Sequence, residues 1–233
     1  MKEEIYQRTK ILLGTNMNKI KSMHVCICGI GGVGSYTLEA LARIGIGKVT
    51  IVDRDEVDIT NINRQIIALN STVGKEKVTV AKERINDINP DIDVIAIKLN
   101  VDANNIDSII TKDIDYVVDA VDNVDAKIAI IQKCNKENIK CISCMGMGNK
   151  LNPLDIRVDD IYKTSVCPLA KVVRKKLKYL CIKSQKVVYS IETSIEKNKE
   201  EKKEYGNTLG SVSFVPSVAG LVIASEVIKD SIK

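Results

Sequence analysis

The hydrophobic pattern of the chain alternates between short apolar runs and longer stretches with helical periodicity. The runs predict strands at 24–28, 48–52, 93–99, 116–120 and 140–144, and the periodic stretches predict helices at 33–44, 73–89 and 126–138. Glycines end the first of these helices and Pro90 ends the second. Strands that alternate with helices favour an α/β fold with a Rossmann-like, mostly parallel sheet and helices on both faces.

The rest of the chain adds flanking segments and an insertion to this core. We expect a single domain over 1–233, made of a helical lead-in (1–21), a nucleotide-binding core (23–145), a basic helix with a mobile loop (163–206) and a closing strand and helix (207–233). Further strand is predicted within 151–162. The amphipathic helix of the insertion covers 169–180, the charged loop covers 192–206, and the closing helix covers 220–233.

Composition narrows the class of protein. With 233 residues and 45% hydrophobic residues the chain can bury a substantial core. Because it has no Trp and one Phe, that core is aliphatic, and aromatic platforms for single-stranded nucleic acid are not expected. The longest apolar stretch, within 212–228, is interrupted by Pro216, Ser217 and Glu226, so no membrane span is predicted. Seven scattered cysteines suit a reducing compartment, and we expect a cytoplasmic protein.

The net charge of +5 is concentrated in one place. Eight basic residues and no acidic ones lie between Lys163 and Lys186, which leaves the remaining chain at −3 (+5 minus +8). In the predicted helix, Leu169, Val173, Leu177 and Leu180 fall on one side, and Lys171, Arg174, Lys175 and Lys178 fall on the other. This basic face is either a solvated helix surface or a contact surface for a polyanion.

A glycine-rich turn follows the first predicted strand and opens a helix. Its glycines, Gly29, Gly31, Gly32 and Gly34, satisfy the pattern G-x-G-x-x-G in the context that this motif requires. Glycines let the backbone approach phosphates, and Asp53, at the end of the next strand, can bind ribose hydroxyls. The pattern predicts a nucleotide and by itself suits NAD or FAD, the alternative being glycines that serve only tight packing.

A second polar set is atypical of a dehydrogenase. After Asp53 the chain carries Asp55, Asn61, Arg64, Gln65 and Lys77. A basic pair can neutralise a triphosphate while amide side chains orient it, whereas hydride transfer needs no such cations. Arg64 and Lys77 are alternatively surface residues.

Acidic residues end another strand. Asp119 and Asp122 lie at the carboxyl end of 116–120, the edge at which parallel sheets bind ligands. A carboxylate there can hold Mg²⁺ on phosphates, although Asp122 or Asn123 can instead cap the following helix. Asp119 is a weak candidate for a general base.

The segments GIGGVGS, DRDEVDITNINRQ and DAVDN, with the spacing to Lys77, resemble the ubiquitin-activating-enzyme-like adenylyltransferases. That superfamily includes the activators of the molybdopterin and thiamine sulfur carriers. The resemblance implies that Gly31 and its neighbours hold the phosphates of ATP, that Asp53 holds the ribose and that Asp122 binds Mg²⁺. It places the second polar set around the triphosphate. It also implies a homodimer in which Arg8 reaches the ATP of the partner subunit, the alternative being a surface arginine.

Further segments are similar to one branch of this superfamily, the tRNA threonylcarbamoyladenosine dehydratases. They include INPDIDV, TSVCPLAKVVRKKLK and GSVSFVPSVAGLVIASEVIKD. This resemblance implies ATP-dependent cyclisation of a modified adenosine through an acyl-adenylate, with tRNA phosphates on Lys171, Arg174, Lys175 and Lys178. A sulfur-transfer protein is a further expected partner. The alternatives are an adenylyltransferase for a ubiquitin-like sulfur carrier, a nucleotide-sensing module and an NAD oxidoreductase.

The cysteines bear on the choice of branch. Sulfur-carrier activators usually carry two CxxC pairs for structural zinc, whereas only Cys141 and Cys144 have that spacing here, within a predicted strand. Their side chains then point to opposite faces, so no structural zinc is expected. Cys167 is a candidate for thioester transfer or an incidental thiol, and His24 is interpreted as structural.

Overall fold

The centre of the molecule is a seven-stranded sheet in the order β3-β2-β1-β4-β5-β7-β6. The computed structural model describes residues 3–196 and 198–233, to which this count refers. The strands are β1 His24–Cys28, β2 Lys48–Val52, β3 Asp93–Ile97, β4 Tyr116–Asp119, β5 Lys140–Cys144, β6 Ile156–Asp160 and β7 Lys186–Ser190. All neighbouring pairs are parallel except β6 with β7 at one edge.

The strand order reverses next to β1. β1 pairs with β2 on one side, in the register Val25↔Val49, and with β4 on the other, in the register Val25↔Tyr116. The chain therefore leaves the carboxyl ends of β1 and β4 in opposite directions and opens a crevice between them. In open parallel sheets ligands bind in this crevice.

Helices cover both faces of the sheet. They are α1 Gln7–Leu13, α2 Asn16–Ser22, α3 Gly34–Ile44, α4 Lys77–Ile88, α5 Ile106–Ile109, α6 Val124–Glu137, α7 Pro168–Tyr179, α8 Lys199–Tyr205 and α9 Phe214–Ile232. Alternate side chains of β1 face opposite layers. Val25 and Ile27 join the core cluster that contains α2, α3, α4 and α9, while Cys26 and Cys28 join the cluster of α5 and α6. α7 packs on α6 through a third cluster that includes Ile131 and Leu177.

This architecture confirms the predicted α/β fold with a mostly parallel sheet and helices on both faces. Two predicted helix starts were wrong by four or more residues, whereas other predicted ends differ from the structure by one or two. α4 begins at Lys77 rather than at 73, because residues 72–75 form a turn in which Gly74 has a φ of 82°. The closing helix begins at Phe214 rather than at 220, since Pro216 lies in its first turn, where a missing N–H is tolerated.

Three further differences concern the insertion and the closing segment. β7 lies in a stretch for which no strand was predicted. Residues 192–206, predicted to lack structure, contain α8, whose first turn is capped because Asn198 Oδ1 accepts hydrogen bonds from the amides of Glu200 and Glu201. Residues 207–213 form no strand, so the predicted closing strand is wrong. Across the described ranges no helix is long and apolar enough to cross a membrane.

Candidate functional site

A cavity of ≈ 380 Å³ opens at the carboxyl ends of β1, β2 and β4. Its size suits a small organic ligand. Polar walls come from the turns that follow these strands and from the segment before α4. The predicted site residues that line it are Gly29, Gly31, Gly32, Asp53, Asp55, Asn61, Arg64, Gln65, Lys77 and Asp122.

The glycines of the turn after β1 have different structural roles. Gly29 has a φ of 91°, and a Cβ there would lie 2.6 Å from the carbonyl oxygen of Ala120. A Cβ on Gly34 would lie 1.8 Å from the carbonyl oxygen of Gly29, so this residue lets α3 start directly against the turn. A Cβ on Gly31 would meet only Gln65 Nε2, at 4.0 Å. The backbone at Gly31 is therefore open to the cavity, as a phosphate cradle requires.

Asp53 and Lys77 connect the turn after β2 to its neighbours. Asp53 accepts hydrogen bonds from the amides of Ile30 at 2.6 Å and of Asp55 at 2.9 Å. The buried Lys77 Nζ lies 2.9 Å from Asp55 Oδ2 and 4.0 Å from Asp53 Oδ1. Burial raises the pKa of Asp55, but the hydrogen bond and charge of Lys77 outweigh it and lower the pKa below its usual value. The Asp55 carboxylate therefore remains a hydrogen-bond acceptor beside the Lys77 ammonium.

The 3-10 turn Ile59–Asn61 and the residues after it form another wall. Asn61 Oδ1 accepts from the amide of Asp58 at 3.2 Å, which fixes this turn. Arg64 Nη1 donates to the carbonyl oxygen of Thr60 at 2.8 Å and so holds the guanidinium at the cavity. Gln65 is buried, and its Oε1 has no hydrogen-bond partner among the described residues. Because a buried unpaired polar atom costs free energy, this amide fits a polar ligand in the cavity.

Asp122 and Asn123 have separate tasks at the start of α6. Asn123 is the N-cap, since its Oδ1 accepts from the amides of Asp125 at 2.9 Å and Ala126 at 3.0 Å. The carboxylate of Asp122 is exposed and, within the part of the chain that the structure describes, makes no hydrogen bond or ion pair. Residues 3–196 and 198–233 hold no group of three or more metal-ligating side chains. One carboxylate plus phosphate oxygens is, however, a set that Mg²⁺ accepts.

Sequence reasoning missed the apolar wall of the cavity. This wall contains Val52, Leu99, Val101, Val121, Ala126 and Met147. For Leu99 and Val101, the position just after β3 could have indicated that they line the site. Residues 209–211 and Pro216 also line the cavity, although they are distant from its other walls along the chain. No pattern in the sequence indicates that these residues belong to the site.

Arg8 and Gly34 do not line the cavity. Arg8 is exposed on α1, so its proposed reach into a partner subunit stays a prediction. The same helix exposes Ile11 at 83% and Leu12 at 84% of their surface. Exposed apolar groups of this kind suit a protein interface.

Three of the four residues predicted to contact tRNA are exposed on the basic helix α7. Lys171, Lys175 and Lys178 are exposed, whereas Arg174 is half-buried. Its Nη1 donates to the carbonyl oxygen of Thr164 at 2.9 Å and to Thr164 Oγ1 at 2.6 Å, so this arginine fixes the preceding loop.

One surface contact joins α7 to the start of α6. Lys176 forms an ion pair with Asp125 in the first turn of α6, three residues after Asp122. This contact ties α7 to the helix that begins two residues after Asp122.

Other residues considered from sequence lie away from the cavity. Asp119 is fully buried in an ion pair with Lys127, which leaves no access for a proton acceptor in catalysis. Cys167 is buried at the start of α7. His24 is held by Asp113 Oδ2 at 3.0 Å and by Thr50 Oγ1 at 2.8 Å, a structural role.

Comparison with known proteins assigns the chain to a family. The family model described as the ThiF family matches residues 6–232. The chain belongs to the ThiF family. A relative from Bacillus subtilis (strain 168), the tRNA threonylcarbamoyladenosine dehydratase, is 41% identical over 98% of this chain and 94% of its own length.

Solved structures of the ThiF fold agree with this similarity. The tRNA N6-threonylcarbamoyladenosine dehydratase TcdA of Escherichia coli is 33% identical, with 98% of this chain and 94% of that chain covered. The TM-score is 0.91 for its complex with AMP and 0.90 for its complex with ATP. The resemblance stated from the motifs is confirmed at the level of the family, and the ligands in these two complexes are adenine nucleotides.

Proposed function

We propose that this chain is an ATP-dependent tRNA threonylcarbamoyladenosine dehydratase. The observation that carries the proposal is its 41% identity, over 98% of its length, to a relative of that activity. The cavity supports it, because open glycine backbone, three basic side chains (Arg54, Arg64 and Lys77) and the exposed Asp122 carboxylate line one pocket of nucleotide size.

The chemistry begins with activation of a carboxylate. The threonylcarbamoyl carboxylate of the tRNA attacks the α-phosphate of ATP, and pyrophosphate leaves with its electron pair. Arg64 stabilises the developing negative charge, and Lys77 holds Asp55 and Asp53 in place beside it. Asp122 would hold Mg²⁺, which would supply further neutralisation of the phosphate charge.

Ring closure follows on the same side chain of the nucleoside. A carbamoyl atom attacks the activated carbonyl carbon, AMP leaves, and a proton is released, so that the nucleoside loses one water overall. Nucleophile and electrophile belong to one substituent, and their proximity lowers the barrier. The protein has to bind, align and neutralise, and no covalent enzyme intermediate is needed.

The partners follow from the same proposal. Lys171, Lys175 and Lys178 bind tRNA phosphates, which gives affinity and salt dependence rather than base recognition. The active form is a homodimer in which Arg8 reaches the partner subunit's ATP. The reaction takes place in the cytoplasm, where its tRNA substrate is found, and a sulfur-transfer protein is a further proposed partner.

Nucleoside mass spectrometry tests the proposal directly. Purified protein is incubated with ATP, Mg²⁺ and tRNA that carries threonylcarbamoyladenosine, and the tRNA is digested under mild conditions. We expect a loss of one water from this nucleoside that requires ATP and is abolished by Arg64→Ala or Asp122→Ala. The matched surface variants Arg157→Ala and Asp87→Ala, which lie outside the cavity, retain activity.

An unchanged nucleoside would overturn the proposal. If ATP–pyrophosphate exchange then appeared only with a carrier protein ending in Gly-Gly, the chain would instead activate a ubiquitin-like sulfur carrier. Both substrates present a carboxylate to the same phosphate.

A further inference from the structure

One buried ammonium group connects three segments of the cavity wall from inside the protein. Lys127 and Asp119 both have fully buried side chains. Lys127 Nζ donates to Asp119 Oδ1 at 2.9 Å, to Asp119 Oδ2 at 3.0 Å and to the carbonyl oxygen of Cys144 at 2.9 Å. All three donors of the ammonium are therefore used.

The first segment is the turn that carries Asp122. Asp119 ends β4, and its Oδ1 also accepts from the amide of Val121 at 3.3 Å. Between them, Ala120 lies directly against the glycine turn, since a Cβ on Gly29 would be 2.6 Å from its carbonyl oxygen. A shift of the Asp119 carboxylate therefore moves the 120–122 turn relative to the phosphate cradle.

The other two segments meet at the same ammonium. Lys127 lies in the first turns of α6, where its amide donates to the carbonyl oxygen of Asn123 at 3.0 Å. Cys144 ends β5, and Met147, which lines the cavity, follows three residues later. The ammonium thus fixes the ends of β4 and β5 relative to the start of α6.

Stability alone gives a weak reason for such a pair. The desolvation cost of two buried charges offsets their attraction, and well-packed apolar side chains of similar volume are often as stabilising. Apolar side chains cannot reproduce three directed hydrogen bonds at fixed positions. The pair therefore suits a place where geometry, rather than the free energy of unfolding, is at stake.

We propose that Lys127 is a positioning residue, which through Asp119 holds the 120–122 turn, and with it Asp122, in the geometry that the ATP-dependent step uses. The effect expected on the reaction rate rests on the proposed function. The inference assigns a role in the reaction to a side chain that touches neither nucleotide nor tRNA.

The double variant Asp119→Leu/Lys127→Met tests this role, because it removes both charges and keeps side chains of similar volume. We expect the free energy of unfolding to be equal to or above that of the parent. We expect kcat for nucleoside dehydration to fall about 10–100-fold, the loss typical of a misplaced reacting group. The Mg²⁺ concentration for half-maximal rate rises in parallel, while KM for tRNA is unchanged.

A second ion pair, outside the lining of the cavity, supplies the control. Glu39 on α3 and Arg84 on α4 are joined by a 2.7 Å contact, and neither lines the cavity. The matched double variant Glu39→Leu/Arg84→Met is expected to keep the kcat and Mg²⁺ requirement of the parent. The conservative variant Asp119→Asn repeats the test should the first double variant fail to fold, with the same direction expected for kcat and for Mg²⁺.

The outcomes separate this inference from the proposed function. A folded Asp119→Leu/Lys127→Met or Asp119→Asn variant with the kcat and Mg²⁺ requirement of the parent overturns the positioning role alone. A parent protein that leaves the nucleoside unchanged overturns the proposed function. Calorimetric titration with Mg²⁺ and ATP then still tests Lys127, since weaker binding by the variants is expected.

Discussion

In the turn after β1, Gly34 allows close packing of the backbone, whereas Gly31 leaves room for a phosphate. An added methyl group at each position tests these two roles separately. Gly34→Ala places a Cβ 1.8 Å from the carbonyl oxygen of Gly29, so backbone must move. We expect the free energy of unfolding to fall by about 1–3 kcal/mol, the usual cost of overpacking. Urea unfolding measures it.

Gly31→Ala is the matched variant, because its methyl group points into the open cavity. Its free energy of unfolding is expected to stay within about 0.5 kcal/mol of the parent value. KM for ATP rises, since the methyl group occupies the space that a phosphate needs. Equal effects of the two alanines on unfolding and on KM would contradict the division of roles.

The residues of the cavity were largely predictable because their positions follow from strand ends. Gly29, Gly31, Asp53 and Asp122 each lie where a predicted strand stops, and all four line the cavity. Arg174 shows the limit of this reasoning. Helical periodicity places it on the polar face, but its guanidinium bends back to Thr164, a contact that no local pattern encodes.

For a single element, α7, charge reversal tests whether its three exposed lysines bind tRNA. We expect Lys171→Glu/Lys175→Glu/Lys178→Glu to weaken tRNA binding and to reduce its salt slope by about 3, since each phosphate contact contributes about one. KM for ATP is unchanged. Filter binding at several salt concentrations measures both quantities.

A triple variant with the same change of charge is the control. Lys19, Lys82 and Lys112 are exposed and lie outside α7. Lys19→Glu/Lys82→Glu/Lys112→Glu is expected to keep most of the tRNA affinity. Equal losses in both variants would show that net charge, and not the face of α7, determines binding.

The contact between α3 and α4 predicts a pH dependence of stability. Burial raises the pKa of Glu39, but hydrogen bonds from Arg84 and Arg43 outweigh it, so the pKa lies below its usual value. Because the pKa is depressed in the folded state, the stabilisation is fully present above the unfolded-state pKa of about 4.3 and is lost as the pH falls through the folded value.

Glu39→Gln is expected to lower the free energy of unfolding by about 1.5–3 kcal/mol at pH 7, the range for hydrogen bonds to charged groups. The difference from the parent shrinks as the pH falls below about 4.3. Unfolding measured from pH 7 to pH 3 checks this, with the exposed Glu83→Gln as control. A difference independent of pH would contradict the role of the charge.

Elements were predictable where hydrophobic periodicity is undisturbed, and less so at turns. β1 and β5 have the predicted bounds, His24–Cys28 and Lys140–Cys144. The start of α4 was predicted too early, at Val73 instead of Lys77, because apolar Val73 in the preceding turn fits the helix period. β7 was missed since its apolar residues are few and follow a lysine-rich stretch.

For the whole molecule, the proposed homodimer predicts complementation between inactive variants. If Arg8 acts on the partner subunit's ATP, each ATP site is built from Asp122 of one subunit and Arg8 of the other. Arg8→Ala and Asp122→Ala then remove side chains that different subunits contribute to the same site. After mixing and exchange of subunits, roughly a quarter of the parent activity is expected, because half of the dimers are mixed and each holds one intact site. Nucleoside mass spectrometry of the mixture measures it.

Each variant assayed alone is the reference. Activity in the mixture that does not exceed the sum of the two separate variants, although sedimentation shows mixed dimers, would place Arg8 outside the site. A monomer by sedimentation would remove the basis for the prediction.

The closure of the cavity by Leu209–Ser211 and Pro216 has a consequence for biosynthesis. The glycine turn and Asp53 emerge from the ribosome before the last wall of their pocket, which is translated more than a hundred residues later. A ligand stabilises a protein only through the state that binds it. Cellular ATP therefore gives no help to the early nascent chain, which has to rely on its own sheet and on chaperones until the region around Pro216 has been synthesised.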